Sequence, residues 1–122
     1  MRAYFDTYGQ PRVEIEVRGS RAVARVAAVL DTGFDGELSL PVGVAMQLGL
    51  ELRDVIAVEL ADGTVSDELV FAGTRVDEGQ ESQVGILVTR SQDSLLGTGL
   101  LRSKRVALDF GTGKAEILPS RQ

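Results

Sequence analysis

Apolar and polar residues alternate one for one from Val13 to Arg18, with Val13, Ile15 and Val17 on one side and Glu14, Glu16 and Arg18 on the other. A period of two puts successive side chains on opposite faces of a pleated strand, so this stretch predicts a strand buried on one face. Gly19-Ser20 predicts a two-residue turn, and Ala22 to Leu30 a second, more apolar strand that completes a hairpin. The pattern returns at Ile56, Val58 and Leu60, then Ala61-Asp62-Gly63-Thr64, then Val65 to Phe71. Asp-Gly between apolar runs is a strong short-range hairpin signal. Further strands are predicted at Ala72 to Asp77, Gln83 to Thr89, Val106 to Phe110 and Ala115 to Leu118, the last two joined by a turn at Gly111-Thr112-Gly113.

Helix signals are few. Pro41 to Leu48 has a proline where a first helical turn tolerates one and Gly49 where a helix commonly ends. Thr98 to Ser103 is long enough for one short turn. Many short strands with one or two short helices predict an all-β barrel or sandwich. No Gly/Ser linker or charge block divides the chain, so residues 1–122 read as one domain, with 1–11 as an N-terminal arm carrying Tyr4 and Tyr8. A faint internal echo links Leu30-Asp31-Thr32-Gly33 before the first helix to Leu95-Leu96-Gly97-Thr98 before the second.

Composition narrows the chemistry. The 122 residues are 43% hydrophobic and 25% charged, enough for one core. Histidine and cysteine are both absent, which removes Ser-His-Asp and Cys-His nucleophiles, disulfides and the usual zinc sites. The net charge of −5 and the 5% aromatic content argue against a nucleic-acid footprint. The longest purely apolar run, Val26 to Leu30, is far too short to span a bilayer, and Met1 to Gln10 lacks the apolar stretch of a signal peptide. The expectation is a cytoplasmic protein with no membrane or nucleic-acid partner, whose chemistry rests on carboxylates, hydroxyls, lysine or a hard metal ion.

One such carboxylate is Asp31, where the apolar strand runs into Asp31-Thr32-Gly33-Phe34. An ionised group at the mouth of an apolar strand needs a partner or a shifted pKa. By itself Asp-Thr-Gly is also ordinary turn chemistry. Its context is more specific: Leu30-Asp31-Thr32-Gly33-Phe34 is followed by Gly36, Leu38, Leu40-Pro41 and Leu48-Gly49-Leu50, then by a flap-like Leu60-Ala61-Asp62-Gly63-Thr64 and a late Ser94-Leu95-Leu96-Gly97. In these residues the chain resembles the retropepsin-like aspartic peptidases, most closely a bacterial and archaeal group marked by a DTGF motif. The likeness runs from Val13 to Leu118.

The resemblance implies a small closed β-barrel active as a two-fold homodimer, because the chemistry needs two aspartates and the chain has one Asp-Thr-Gly. It implies that Asp31 is catalytic, that Thr32 and Gly33 support the active-site loop, and that Leu95, Leu96 and Gly97 complete that loop from beneath. It places substrate peptide or protein against Phe34 and Asp35 and under the flap residues Ala61, Asp62, Gly63 and Thr64. Some residues depart from the family pattern. Phe34 is bulky where a small residue is usual, Thr98-Gly99 replaces the arginine or asparagine common in viral relatives, and Asp62 is an acid at the flap tip, where a solvated turn role competes with a functional one.

Other motifs carry less. Asp109-Phe110-Gly111 lacks the loops that accompany the kinase tripeptide, Gly97-Thr98-Gly99 lacks a third glycine, and Asp77 to Glu81 reads as an exposed hairpin tip. The reading is therefore an aspartic endopeptidase. A catalytically silent dimeric peptide-binding module of the same fold, and an unrelated barrel in which Asp31 only makes a turn, are the alternatives.

Overall fold

The computed structural model describes residues 1–120; the last two residues of the expected domain, 121 and 122, lie outside the described residues. The strands are β1 (Arg2–Phe5), β2 (Pro11–Arg18), β3 (Val23–Leu30), β4 (Leu38–Pro41), β5 (Glu51–Glu59), β6 (Val65–Asp77), β7 (Gln80–Thr89), β8 (Leu95–Leu96), β9 (Lys104–Asp109) and β10 (Lys114–Pro119). Helix α1 spans Val42–Leu48, and a single 3-10 turn covers Thr98–Leu100.

Eight strands form one sheet in the order β1-β2-β3-β8-β4-β7-β6-β5. The far half of β6 also pairs with β2, through Glu16–Val76, Val17–Arg75 and Arg18–Thr74, so the sheet curls back on itself. Its interior holds the alternate residues that the period of two selects: Val13, Ile15 and Val17 from β2, and Val26, Ala28 and Leu30 from β3. Leu38, Leu40, Val84, Ile86 and Leu96 complete the core, and none of these five is measurably exposed. Burying an aliphatic side chain of this size is worth about 1.5–3 kcal/mol, so this cluster is the main source of stability. The β9–β10 hairpin forms a separate two-stranded sheet, and its Val106, Leu108 and Ile117 pack on the same core. Phe110 at its turn meets Phe5 edge-on, with ring centroids 5.0 Å apart.

The structure revises several elements of the sequence pattern. Residues 2–5 are a strand on β2, with Arg2 opposite Glu14 and Phe5 opposite Pro11. The β2–β3 connection is longer than two residues, closing through the Gly19 N–H donating to the Ala22 carbonyl at 2.9 Å. The cause is α1: the Ser20 N–H and hydroxyl donate to the Gly49 carbonyl, and the Arg21 N–H donates to the Leu48 carbonyl. These donors satisfy carbonyls that a helix end leaves open, and the turn widens to reach them. A Cβ on Gly19 would stand 2.1 Å from the Leu48 carbonyl oxygen, so only glycine permits this approach. Gly49 ends α1 in the left-handed region, at φ 72°.

The segments expected as Val65 to Phe71 and Ala72 to Asp77 are one continuous strand, β6, which pairs first with β5 and then with β2. Asp77 to Glu81 does form a tight tip, in which Glu78 and Gly79 both take positive φ, at 50° and 79°. That is the backbone twist a two-residue hairpin loop favours. No helix among the described residues is long and apolar enough to cross a membrane.

Candidate active site

β8 is only two residues long, yet it decides the architecture around Asp31. It enters from late in the chain and sits between β3 and β4, parallel to the first (Val29–Leu95, Leu30–Leu96) and antiparallel to the second (Leu38–Leu96, Ser39–Leu95). Asp31 follows directly on β3, half-buried, and its N–H donates to the Leu96 carbonyl at 3.0 Å. Its own Oδ1 accepts the Gly33 N–H at 2.9 Å, and its carbonyl accepts the Phe34 N–H at 3.2 Å. The carboxylate is thereby fixed at the mouth of the strand by backbone on both sides of it, while Thr32 and Gly33 are exposed.

The loop beyond Gly33 is clamped by the residues after Leu96. The Thr98 N–H donates to the Phe34 carbonyl at 2.8 Å, the Gly99 N–H to the Gly36 carbonyl at 3.0 Å, and the Gly97 N–H to the Glu37 carbonyl at 2.9 Å. The Thr98 hydroxyl adds a longer bond to the Phe34 carbonyl, at 3.3 Å. Such close backbone contact explains the glycines. A Cβ on Gly97 would stand 2.2 Å from the Gly36 carbonyl oxygen, and one on Gly99 would stand 2.8 Å from that same oxygen. The Phe34 ring folds into the space that side chains at Gly36 and Gly97 would have filled. The bulk of Phe34 is thus absorbed by the small residues around it.

Across from this loop stands the β5–β6 hairpin. Its tip is held by the Leu60 N–H donating to the Thr64 carbonyl, with Gly63 at φ 85°. Ala61, Asp62, Gly63 and Thr64 are all exposed there. Asp62 Oδ1 accepts both the hydroxyl and the N–H of Thr64, at 2.6 and 3.0 Å. These bonds, the hydroxyl's first, hold the Asp62 carboxyl below its ordinary value of 3.8. Asp109, of the kinase-like tripeptide, serves its own turn in the same way, accepting the N–H groups of Gly111 and Thr112.

Between hairpin and loop lies a cavity of about 980 Å³. Phe34 and Asp35 line it, whereas Asp31 and the tip residues Ala61 to Thr64 do not. Its hairpin wall consists of Asp54, Ile56, Val58, Ser66, Glu68 and Val70, of which the sequence reading named only Ile56 and Val58, as strand positions and not as site residues. The signal for them was the strand period itself, since they alternate along both arms of the hairpin. Glu37 was also missed; its Oε1 accepts the Gly85 N–H at 2.7 Å and ties the loop to β7.

No protein-family model matches the chain, and no curated protein matches it in sequence. Among solved structures it is similar to EIAV protease complexed with the inhibitor HBY-793, at 17% identity and a TM-score of 0.54, over 80% of this chain and 90% of that one. The fold is retropepsin-like. Within a retropepsin-like fold the arrangement is coherent: a strand-end aspartate backed by a late two-residue strand, a glycine-lined clamp behind its loop, and a long hairpin facing that loop across a cavity.

Proposed function

We propose that this chain is an aspartic endopeptidase, hydrolysing peptide bonds with a water activated by two Asp31 carboxylates paired across a homodimer. The observation that carries the reading is the fixed placement of Asp31, with its N–H on the Leu96 carbonyl and its Oδ1 on the Gly33 N–H. A two-fold axis passing beside the exposed Thr32 and Gly33 would bring a second Asp31 to face the first. Two carboxylates that close share one proton and titrate as a pair. The ionised one takes a proton from water as the water oxygen attacks the scissile carbonyl carbon, and the protonated one hydrogen-bonds the carbonyl oxygen. The tetrahedral intermediate then collapses: the C–N bond breaks and the amine leaves with a proton from the pair. Thr32 would lock the two loops across the axis, and the hairpin tip at Ala61 to Thr64 would close over the bound peptide, with Phe34 and Asp35 against its side chains. The site calls for no metal or cofactor, and the reading places the protein in the cytoplasm.

Digestion of a mixed peptide library between roughly pH 4 and 7, the range in which a shared-proton pair works, tests this reading. Wild type should cleave and Asp31→Asn should not, while both remain folded and dimeric. Cleavage by neither would favour the catalytically silent peptide-binding dimer. Equal cleavage by both would remove Asp31 from the chemistry.

A further inference from the structure

The hairpin wall of the cavity beside the Asp31 loop mixes Ile56, Val58 and Val70 with Asp54, Ser66 and Glu68, and its charges are unevenly satisfied. In the β5–β6 register Asp54 lies opposite Val70, Ile56 opposite Glu68 and Val58 opposite Ser66, so these side chains share the inner face. At one end Arg53 and Glu37 converge on Gly85: Arg53 Nη2 and Glu37 Oε1 lie 2.5 and 3.2 Å from the point where a Cβ on Gly85 would stand. Glu37 spends that oxygen on the Gly85 N–H, at 2.7 Å, and Arg53 forms no ion pair with it. Asp54 spends one oxygen on the N–H of Val55, at 2.8 Å. Glu68 differs from both. It is half-buried, directly across from Ile56, and takes no hydrogen bond or ion pair from the described residues. Arg90, also on the cavity wall, forms no ion pair with it.

We propose that Glu68 makes this cavity select a lysine or arginine side chain of the bound peptide, an inference that rests on the peptidase reading and names its substrate preference. A long cationic side chain matches both halves of the lining. Its methylenes cover Ile56, Val58 and Leu87, and its head meets Glu68, with Asp35 on the facing wall. A purely aliphatic guest would bury the Glu68 carboxylate without a partner, which is unfavourable. An acidic guest would be repelled. The net charge of −5 adds a long-range attraction for basic peptides.

Peptides scanned position by position with lysine, norleucine or glutamate would be tested for binding to Asp31→Asn protein by fluorescence anisotropy, at low and high salt. At one position lysine should bind about tenfold or more tighter than norleucine, the gain expected of a charge-assisted contact. Salt should weaken that preference, Glu68→Gln should abolish it, and Glu68→Lys should turn it toward glutamate. Equal affinity for lysine and norleucine at every position, a lysine preference that survives in Glu68→Gln, or no peptide bound at all would overturn the proposal. The two readings fail separately. Cleavage by wild type without a lysine preference removes the role of Glu68 and keeps the peptidase, whereas lysine-selective binding without cleavage does the reverse.

Discussion

At the scale of single residues, the backbone packing around Asp31 is decided by atoms that are missing. Gly97 has no Cβ, and the Gly36 carbonyl oxygen occupies the approach that one would block, 2.2 Å from where it would stand. Because the obstruction is backbone rather than a flexible side-chain end, Gly97→Ala should destabilise the protein by about 3 kcal/mol, the upper end of overpacking costs. Gly43 in α1 is the control, since nothing lies within 4 Å of its added Cβ. Gly43→Ala should stabilise by about 0.4–1 kcal/mol through helix propensity and the unfolded state, with urea unfolding reporting both changes. The place of Asp31 at a strand end and of Gly97 behind its loop was legible in the sequence through the company they keep. Glu68 and Glu37 were not, because an acid on a strand looks the same whether its neighbours are solvent or the far wall of a cavity.

At the scale of elements, hairpins follow from alternation and turn chemistry, and here the sequence was most informative. The β2–β3, β5–β6 and β9–β10 hairpins all stand where period two and glycine-containing turns put them. What the pattern could not convey were the short or long-range pieces. β4 and β8 are four and two residues long, too brief for any period, and exist only because their neighbours offer open edges. β1 reads as an arm until its loop is seen. There Asp6 Oδ1 accepts the N–H groups of Tyr8 and Gln10, and its Oδ2 accepts from Arg12 Nε at 2.8 Å. The Arg12 contact first, then the backbone donors, lower the Asp6 carboxyl below its ordinary 3.8. A carboxyl lowered on folding contributes stability that is complete above the unfolded value and is lost as pH falls through the folded one. Asp6→Asn should therefore be less stable than wild type near pH 6, and the difference should shrink on acidification below 3.8. Denaturant midpoints measured at pH 6 and pH 3 check the direction.

At the scale of the whole molecule, the pairing holds an internal repeat, though not the one the sequence echo suggests, since it matches β3 with β7 rather than with β8. β3 runs parallel to β8 and β4 runs parallel to β7, while β4 and β8 cross antiparallel between them. Exchanging the pair β3, β4 with the pair β7, β8 leaves that pattern unchanged. β3 leads into Asp31-Thr32-Gly33, whereas its counterpart β7 leads into Arg90-Ser91-Gln92, with no acid at the strand end. A single chain thus holds one carboxylate of this kind, and the peptidase reading makes activity a property of two chains. Wild type co-refolded with an equal amount of Asp31→Asn should lose about half its activity, because random pairing strands half of the wild-type chains with an inactive partner. Activity per wild-type chain that is unaffected by the mixing would mean the carboxylates act singly.

Ribosomal synthesis releases the chain from its N-terminus, so Asp31 emerges well before the residues that support it. Until Leu95 and Leu96 follow, β3 and β4 face one another across an empty lane, and the Asp31 N–H has no carbonyl to meet. The keystone is laid after the strands it joins. A chain that stops short of Leu95 already contains Asp31, the hairpin and the helix, yet lacks the two residues that hold the Asp31 N–H, so the Asp31 loop takes its shape only once β8 has been made.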